Sequence, residues 1–360
     1  MAGGSGVLAL GQAPAHGRQN RCNLTVLVPA YNEGNSLADT IRSLQTQTLL
    51  PEEIVVIDDF STDDTGDVAR ALGVTVIRPP ANTGSKAGAQ NFALGGITTE
   101  YTMAIDADTT LAPNAIEKLS PAFEDPNVAA ACGFVLPRYV KTLWERGRYI
   151  EYMLAFTWYK PIQDYYQKPM ISSGCFSMYR TRILKEHGGW QTRTLAEDMD
   201  LTWSLHAEAH GVRFIPEAVS YPIEPHDYGF LSKQLKRWSH GFMQNVKLHW
   251  VNLLGLPYLG SFVAVALCDA IVASLAYLVA IPLLALVLWT PWPLLAYILD
   301  APIILVPVML KAVERKEKWQ ALVSVPCFLV LRLVNSYFVL AAFFQEFVLR
   351  KSFLRYEKGH

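Results

Sequence analysis

Residues 101–108 read Tyr-Thr-Met-Ala-Ile-Asp-Ala-Asp, a short apolar run that ends on two carboxylates one residue apart. That is how a central strand of an open α/β sheet reads where it reaches the carboxyl rim. The sequence upstream repeats the theme. Residues 24–28 form a β-branched apolar run closed by Pro29; residues 54–57 form another, ending on Asp58 and Asp59; residues 74–77 form a third. Helical stretches separate them. Residues 36–45 place Leu37, Ile41 and Leu44 on one face, residues 63–72 carry acidic side chains in the first turn, and residues 84–94 follow. Acidic groups suit a helix start because they face the positive end of its dipole. Continuous apolar strands alternating with helices predict an α/β fold with a parallel sheet covered on both faces. Ligands of such sheets bind beyond the strand ends, so Asp58-Asp59 and Asp106-Ala107-Asp108 share one candidate rim.

Five motifs carry chemistry. Val28-Pro29-Ala30-Tyr31-Asn32-Glu33 runs from a strand into a polar turn, and reads equally as an ordinary strand-to-helix connection. In Asp58-Asp59-Phe60-Ser61-Thr62-Asp63 a strand-end carboxylate can accept hydrogen bonds from a base or ribose, while Ser61 or Thr62 can cap the next helix. Asp106 and Asp108 can hold a hard divalent cation through oxygen and so neutralise a leaving diphosphate. Glu197-Asp198, with Asp200 close by, offers a carboxylate to take a proton from an acceptor hydroxyl, or simply an acidic helix start. Gln234, Arg237 and Trp238 fall at i, i+3 and i+4, on one helix face. Arg grips phosphate oxygens and Trp offers a flat face to a sugar ring; an amphipathic helix lying on a membrane would use the same residues.

The 360 residues suffice for two ordinary domains. Only 18% are charged and the formal net charge is -1, so no basic field points to nucleic acid. The five cysteines, Cys22, Cys132, Cys175, Cys268 and Cys327, are scattered and form no CxxC pair, which argues against a disulfide framework or a structural zinc. Residues 1–22 read as a mobile tail, without the apolar core of a signal peptide. Residues 23–250 hold the catalytic part. From 251 the composition turns apolar: residues 260–289, 293–310 and 319–349 hold few charges, among them Asp269 and Arg332. A span needs roughly 20 apolar residues, so about three membrane helices and a basic C-terminal tail are expected. Three full crossings conflict with the positive-inside rule, because the basic stretch 311–318 and the basic tail 350–358 would then lie on opposite sides. One apolar segment lying in the interface or re-entering would remove the conflict.

Taken in order, Pro29-Ala30-Tyr31-Asn32-Glu33, Asp58-Asp59, Lys86-Ala87-Gly88-Ala89-Gln90-Asn91, Asp106-Ala107-Asp108, Ser173-Gly174, Glu197-Asp198 and Gln234-Arg237-Trp238 resemble the inverting family-2 glycosyltransferases of the GT-A fold. The series covers about residues 23–250. More narrowly, it resembles the membrane branch with cellulose, chitin and hyaluronan synthases. The resemblance implies a cytosolic Rossmann-like domain followed by transmembrane helices, in the plasma membrane. It implies that Ala30, Tyr31, Glu33 and Asp58 line the nucleobase and ribose pocket. Lys86, Gln234 and Arg237 would meet the diphosphate, Asp106 the nucleotide sugar, and Asp108 with Asp106 a Mg2+ or Mn2+ ion. Asp198 would be the general base; Ser173, Gly174, Glu197 and Trp238 would shape the acceptor site. His226 reads as a metal neighbour or a plain surface histidine. The donor would be a UDP-sugar.

Three functions are consistent with these residues. Gln234, Arg237 and Trp238 favour a processive synthase of a β-linked polysaccharide. The small apolar part, with no apolar span ahead of the catalytic part, favours single transfer to a polyprenyl-phosphate or other lipid acceptor, or a homo-oligomer that builds a channel from several subunits. The third is an inactive membrane binding protein that keeps the fold. Asp269 and Arg332, charges inside apolar segments, mark an oligomer contact or a pathway, or are buried against protein.

Overall fold

The computed structural model describes residues 20–299 and 301–353, except for the side chain of residue 303. Among these residues one sheet has eight strands: β1 (Arg21–Ala30), β2 (Leu50–Asp58), β3 (Thr75–Ile77), β4 (Tyr101–Ile105), β5 (Thr110–Leu111), β6 (Val128–Val135), β7 (Phe176–Arg180) and β8 (Gly211–Tyr221). Across the sheet they run β3-β2-β1-β4-β7-β6-β8-β5. The first four are parallel, as the alternation of strands and helices predicts. The all-parallel expectation stops there, because β7 lies antiparallel between β4 and β6, and β5 lies antiparallel to β8. The sheet is mixed. The reversal matters for the site: Phe176 at the start of β7 pairs with Ile105 at the end of β4. The Ser173-Gly174-Cys175 loop ahead of β7 therefore hangs over the rim where Asp106 begins. Arg21 and Cys22, expected within the N-terminal tail, pair with Leu50 and Pro51 as the start of β1; residues 1–19 lie outside the described residues.

The helices of this part are α1 (Leu37–Gln45), α2 (Thr65–Ala71), α3 (Lys86–Leu94), α4 (Ala115–Leu119), α5 (Leu143–Leu154), α6 (Lys160–Tyr165), α7 (Thr181–Glu186), α8 (Glu197–Ala207) and α9 (Tyr228–Leu254). Side chains alternate across a strand, and β1 uses both faces. Val26 and Val28 join Leu37, Ile41 and Leu44 of α1 in one core, whereas Leu27 joins Ala89 and Ala93 of α3 and Leu201 and Leu205 of α8 in another. Each fully buried aliphatic side chain contributes about 1.5–3 kcal/mol relative to exposure. These cores hold the strand ends, and so the rim, in register.

Beyond α9 come α10 (Pro257–Leu275), α11 (Ile281–Val287), α12 (Ala301–Glu314) and α13 (Lys318–Phe343). Through a π-helical turn α10 and α11 form one apolar helix, Pro257–Val287, and α13 continues likewise to Val348. Both are long and apolar enough to cross a membrane. The second expected segment, 293–310, instead divides into a 3-10 helix, Trp292–Ile298, and α12, with Pro307 inside it. Proline removes a backbone donor and crowds the preceding turn, and 14 residues of helix reach only about 21 Å. The two long helices differ in setting. Side chains of Pro257–Val287 mostly face outward. The second touches the sheet domain along its length: Glu317, just before it, accepts from Tyr149 of α5 at 2.8 Å, Asn335 donates to Glu151 of α5 at 2.9 Å, and Glu346 meets His240 of α9 at 3.1 Å. Gly147 allows the close crossing with α5, since a Cβ there would lie 3.0 Å from Leu331 Cβ.

Candidate active site

Four of the residues singled out in the sequence meet at the rim. Lys86, in the first turn of α3, pairs with Asp106, the first residue after β4, and donates to the Gly174 carbonyl at 2.8 Å. Gly174 N–H donates to Asp198 Oδ2 at 2.8 Å. A Cβ on Gly174 would sit 3.1 Å from Asp198 Oδ2 and 3.2 Å from Lys86 Nζ, so this position stays glycine for close approach. Asp198 lies in the first turn of α8, and its Oδ1 accepts from Met199 N–H at 2.8 Å. Both of its oxygens are thus oriented by backbone donors. Ser85 caps α3 by accepting from Gly88 N–H at 3.1 Å, which fixes the turn that presents Lys86.

Next to this centre, the ends of β1 and β2 form a rigid loop pair. Asn32 and Phe60 both adopt left-handed backbone, with φ of 54° and 69°. A bulky side chain there is strained and is held by bonds between the loops. Asn32 N–H donates to Ser61 Oγ, Thr62 N–H donates to Asn32 Oδ1, and Glu33 N–H donates to Thr65 Oγ1. Ala30 and Glu33 are buried and Tyr31 is exposed. Asp58 is fully buried; its oxygens accept from Ser61 N–H at 2.9 Å and from Arg78 at 2.7 Å. Arg78 also lies over the exposed Phe60 ring, 5.0 Å from its centroid. Asp59 accepts twice from Thr83 and so anchors the loop ahead of Lys86.

The acidic start of α8 divides its labour. Glu197 is buried, and burial, then the Asp198 charge, pushes its carboxyl up against the opposing pull of Lys86 and Arg237. Arg237 of α9 therefore lies within electrostatic reach of this acid. Burial would raise the Asp200 carboxyl as well, but Arg193, bidentate at 2.8 Å, and His249 of α9 at 2.7 Å hold it below the usual range. Asp200 is thus a clamp between α8 and α9. Gly241 brings the two helices together, since a Cβ there would lie 2.7 Å from Ala196 Cβ.

Gln234 and Trp238 open onto a buried polar cluster that the sequence did not reveal. Arg148 is fully buried; it donates to Gln234 Oε1 at 2.7 Å and stacks 4.5 Å from the Trp238 ring centroid. It pairs with Glu151 and faces Glu224 at 3.7 Å. Tyr152 donates to Glu224 at 2.7 Å. Burial pushes the Glu224 carboxyl from 4.5 up to about 7, against the pull of Arg148 and the Tyr152 hydroxyl. Folding then takes up a proton between those values. The stability this supplies is complete below about pH 4.5 and is lost as pH rises through 7, on the order of 3 kcal/mol for such a shift. In detergent-solubilised protein, wild type should lose thermal stability relative to Glu224→Gln between pH 5 and pH 8. A difference independent of pH would show that Glu224 stays ionised throughout.

Ser173 Oγ accepts from Lys160 at 2.9 Å. Lys160 is itself buried over the rings of Phe156 and Phe214. His226 is an exposed residue beside Asp227 at 3.2 Å. Asp106 and Asp108 are partly exposed carboxylates at one strand end, and no cluster of three or more His, Cys, Asp or Glu forms among the described residues. Two carboxylates fit a hard cation that completes its shell with substrate phosphates. Arg78, Arg148 and Lys160 escape sequence reasoning, since a lone cation carries no spacing signal.

The fold and the rim define the class: a GT-A glycosyltransferase domain ahead of a helical C-terminal region. Residues 25–188 match Glycosyl transferase family 2, so this part of the chain is a family-2 glycosyltransferase domain. It is 27% identical over 223 residues to the poly-beta-1,6-N-acetyl-D-glucosamine synthase of Staphylococcus epidermidis, covering 61% of this chain and 54% of that protein. The synthase of the same name from Staphylococcus aureus (strain MSSA476) is 26% identical with the same coverage. The chain thus spans about half the length of these curated relatives. Mannosyltransferase PcManGT from Pyrobaculum calidifontis, in complex with GDP-Man and Mn2+, superposes with a TM-score of 0.53 over 88% of this chain and 87% of that one. At 20% identity this is a likeness of fold.

Proposed function

We propose that this enzyme transfers a sugar, with inversion, from a UDP-sugar to a growing β-linked polysaccharide at a membrane face. The observation that carries the reading is the meeting of Lys86, Asp106, Gly174 and Asp198 at one rim. Tyr31, Phe60 and Arg78 receive the nucleoside, with Ala30, Glu33 and Asp58 fixing the loops beneath. A Mg2+ or Mn2+ ion held by Asp106 and Asp108 would supply positive charge for the departing diphosphate. Lys86, Gln234 and Arg237 bind that diphosphate, and Arg237 stabilises the charge that builds as it leaves. Asp198 takes the proton of the acceptor hydroxyl. The bond from that oxygen to the anomeric carbon forms on the opposite face as the bond to diphosphate breaks. Ser173, Gly174, Glu197 and Trp238 hold the acceptor sugar. The printed names of the staphylococcal relatives support a polymer product.

For the membrane, Pro257–Val287 crosses and the segment holding α12 returns. The helix begun by α13 lies along α5 and α9, which hold it before its start, at its middle and near its end. Both basic stretches then share the catalytic side, as the positive-inside rule asks of a cytoplasmic face, here that of the plasma membrane.

The test is to offer the detergent-purified protein a panel of nucleotide sugars with Mn2+ or Mg2+, following nucleoside diphosphate release and product size. Metal-dependent release with a ladder of long products is expected. One short lipid-bound product would replace the polymerase by a single-transfer enzyme, and nucleotide binding without release would leave an inactive binding protein.

A further inference from the structure

The Gln234/Arg237/Trp238 face is held by a residue far from it in sequence. Arg148 of α5 meets Gln234 and Trp238 at once, with one guanidinium donor on the amide and its central carbon over the ring. It does so from complete burial, where a guanidinium is costly unless its charge is matched. Glu151 supplies the match by pairing directly, and Glu224 lies 3.7 Å away. Glu151 in turn accepts from Asn335 of α13 through its other oxygen. A continuous polar path therefore runs from the helix on the membrane side, through Glu151 and Arg148, to two residues of the motif. Trp238 remains more than a third exposed although Arg148 covers one side, so a second side is left for a ligand. Arg rather than Lys suits this place, because only a planar fork can stack and donate in fixed directions at once.

We propose that Arg148 is a positioning residue for sugar transfer: it sets the plane of Trp238 and the rotamer of Gln234, and couples both to α13. The inference rests on the reading that Trp238 faces the acceptor sugar. It is tested with UDP-N-acetylglucosamine and Mn2+ as donor and a synthetic β-1,6-linked N-acetylglucosamine tetramer as acceptor. Arg148→Lys keeps the charge and should raise the KM for the tetramer about tenfold, the scale of one misplaced contact in a site. The Kd for UDP should rise less, by about twofold to threefold, because Arg148 also holds Gln234, which meets the diphosphate beside Lys86 and Arg237. In a Trp238→Phe background the lysine substitution should add little further, since the two residues act as one unit. An unchanged tetramer KM, or an effect that simply adds to that of Trp238→Phe, would overturn the positioning role and leave the transferase reading intact. Wild-type protein that neither releases UDP nor extends the tetramer would remove the acceptor reading and this inference with it. If Arg148→Lys does not fold, Asn335→Ala cuts only the far end of the path and should shift the tetramer KM in the same direction and by more than the Kd for UDP; no shift counts against the coupling.

Discussion

Asp198→Asn should lower sugar transfer by about a hundred- to ten-thousandfold, the range that general-base catalysis supplies, while UDP binding stays near wild type. The substitution is nearly isosteric and removes the only chemistry proposed for this side chain, the uptake of the acceptor proton. It also carries a structural cost that can be stated in advance. Gly174 N–H and Met199 N–H each donate to one of the two carboxylate oxygens. An amide has one oxygen, so its NH2 must face one of these donors. One hydrogen bond is lost and the protein should be destabilised by about 1–3 kcal/mol. The two effects separate cleanly: thermal unfolding reads the second, and turnover at a temperature where both proteins are folded reads the first. Turnover within tenfold of wild type would remove Asp198 from the role of base and shift attention to Glu197, whose buried carboxyl is already pushed up.

How much of this could be read from the sequence depends on how local each feature is. The run of residues 101–105 matches β4 end to end, and the apolar stripe Leu37, Ile41 and Leu44 is buried as its spacing predicts. Such elements are set by periodicity within ten residues. The direction of β7 is not local. Nothing in Phe176–Arg180 says that it will lie antiparallel beside β4, yet that choice brings Gly174 to Lys86 and Asp198. The partners of Gln234 and Trp238 were hidden for the same reason: Arg148 lies 86 residues from Gln234. Asp58 illustrates a subtler limit. A strand-end carboxylate looks like a ligand group in sequence; spacing does not reveal that it is buried and that its oxygens accept from Ser61 and Arg78. The apolar composition past residue 250 was plain, while its division was not, because prolines and contacts with α5 and α9 decide which stretches become long helices.

Gly133→Ala should destabilise the protein by more than about 3 kcal/mol, at the upper end for overpacking, although the substitution adds one methyl group and sits in a strand. Gly133 of β6 pairs with Ile215, and the register then slips so that Phe134 pairs with Val219. The extra residues of β8 fold back over the glycine. A Cβ there would penetrate the Ala218 carbonyl oxygen and lie 2.5 Å from Phe176 Cε1. Neither neighbour can yield easily. Ala218 is backbone, fixed by the pairing that resumes at Val219 and Ser220. Phe176 is fully buried and opens β7 immediately after the Ser173-Gly174-Cys175 loop, so displacing it would carry the rim with it. Gly95→Ala is the internal control: its backbone is helical, with φ of -55°, and nothing lies within 4 Å of an added Cβ. That change should be neutral or stabilising by about 0.4–1 kcal/mol. Thermal unfolding in detergent distinguishes the pair. If Gly133→Ala melts within a degree or two of Gly95→Ala, the bulge of β8 does not press on β6 as described, and the mixed half of the sheet must be paired differently.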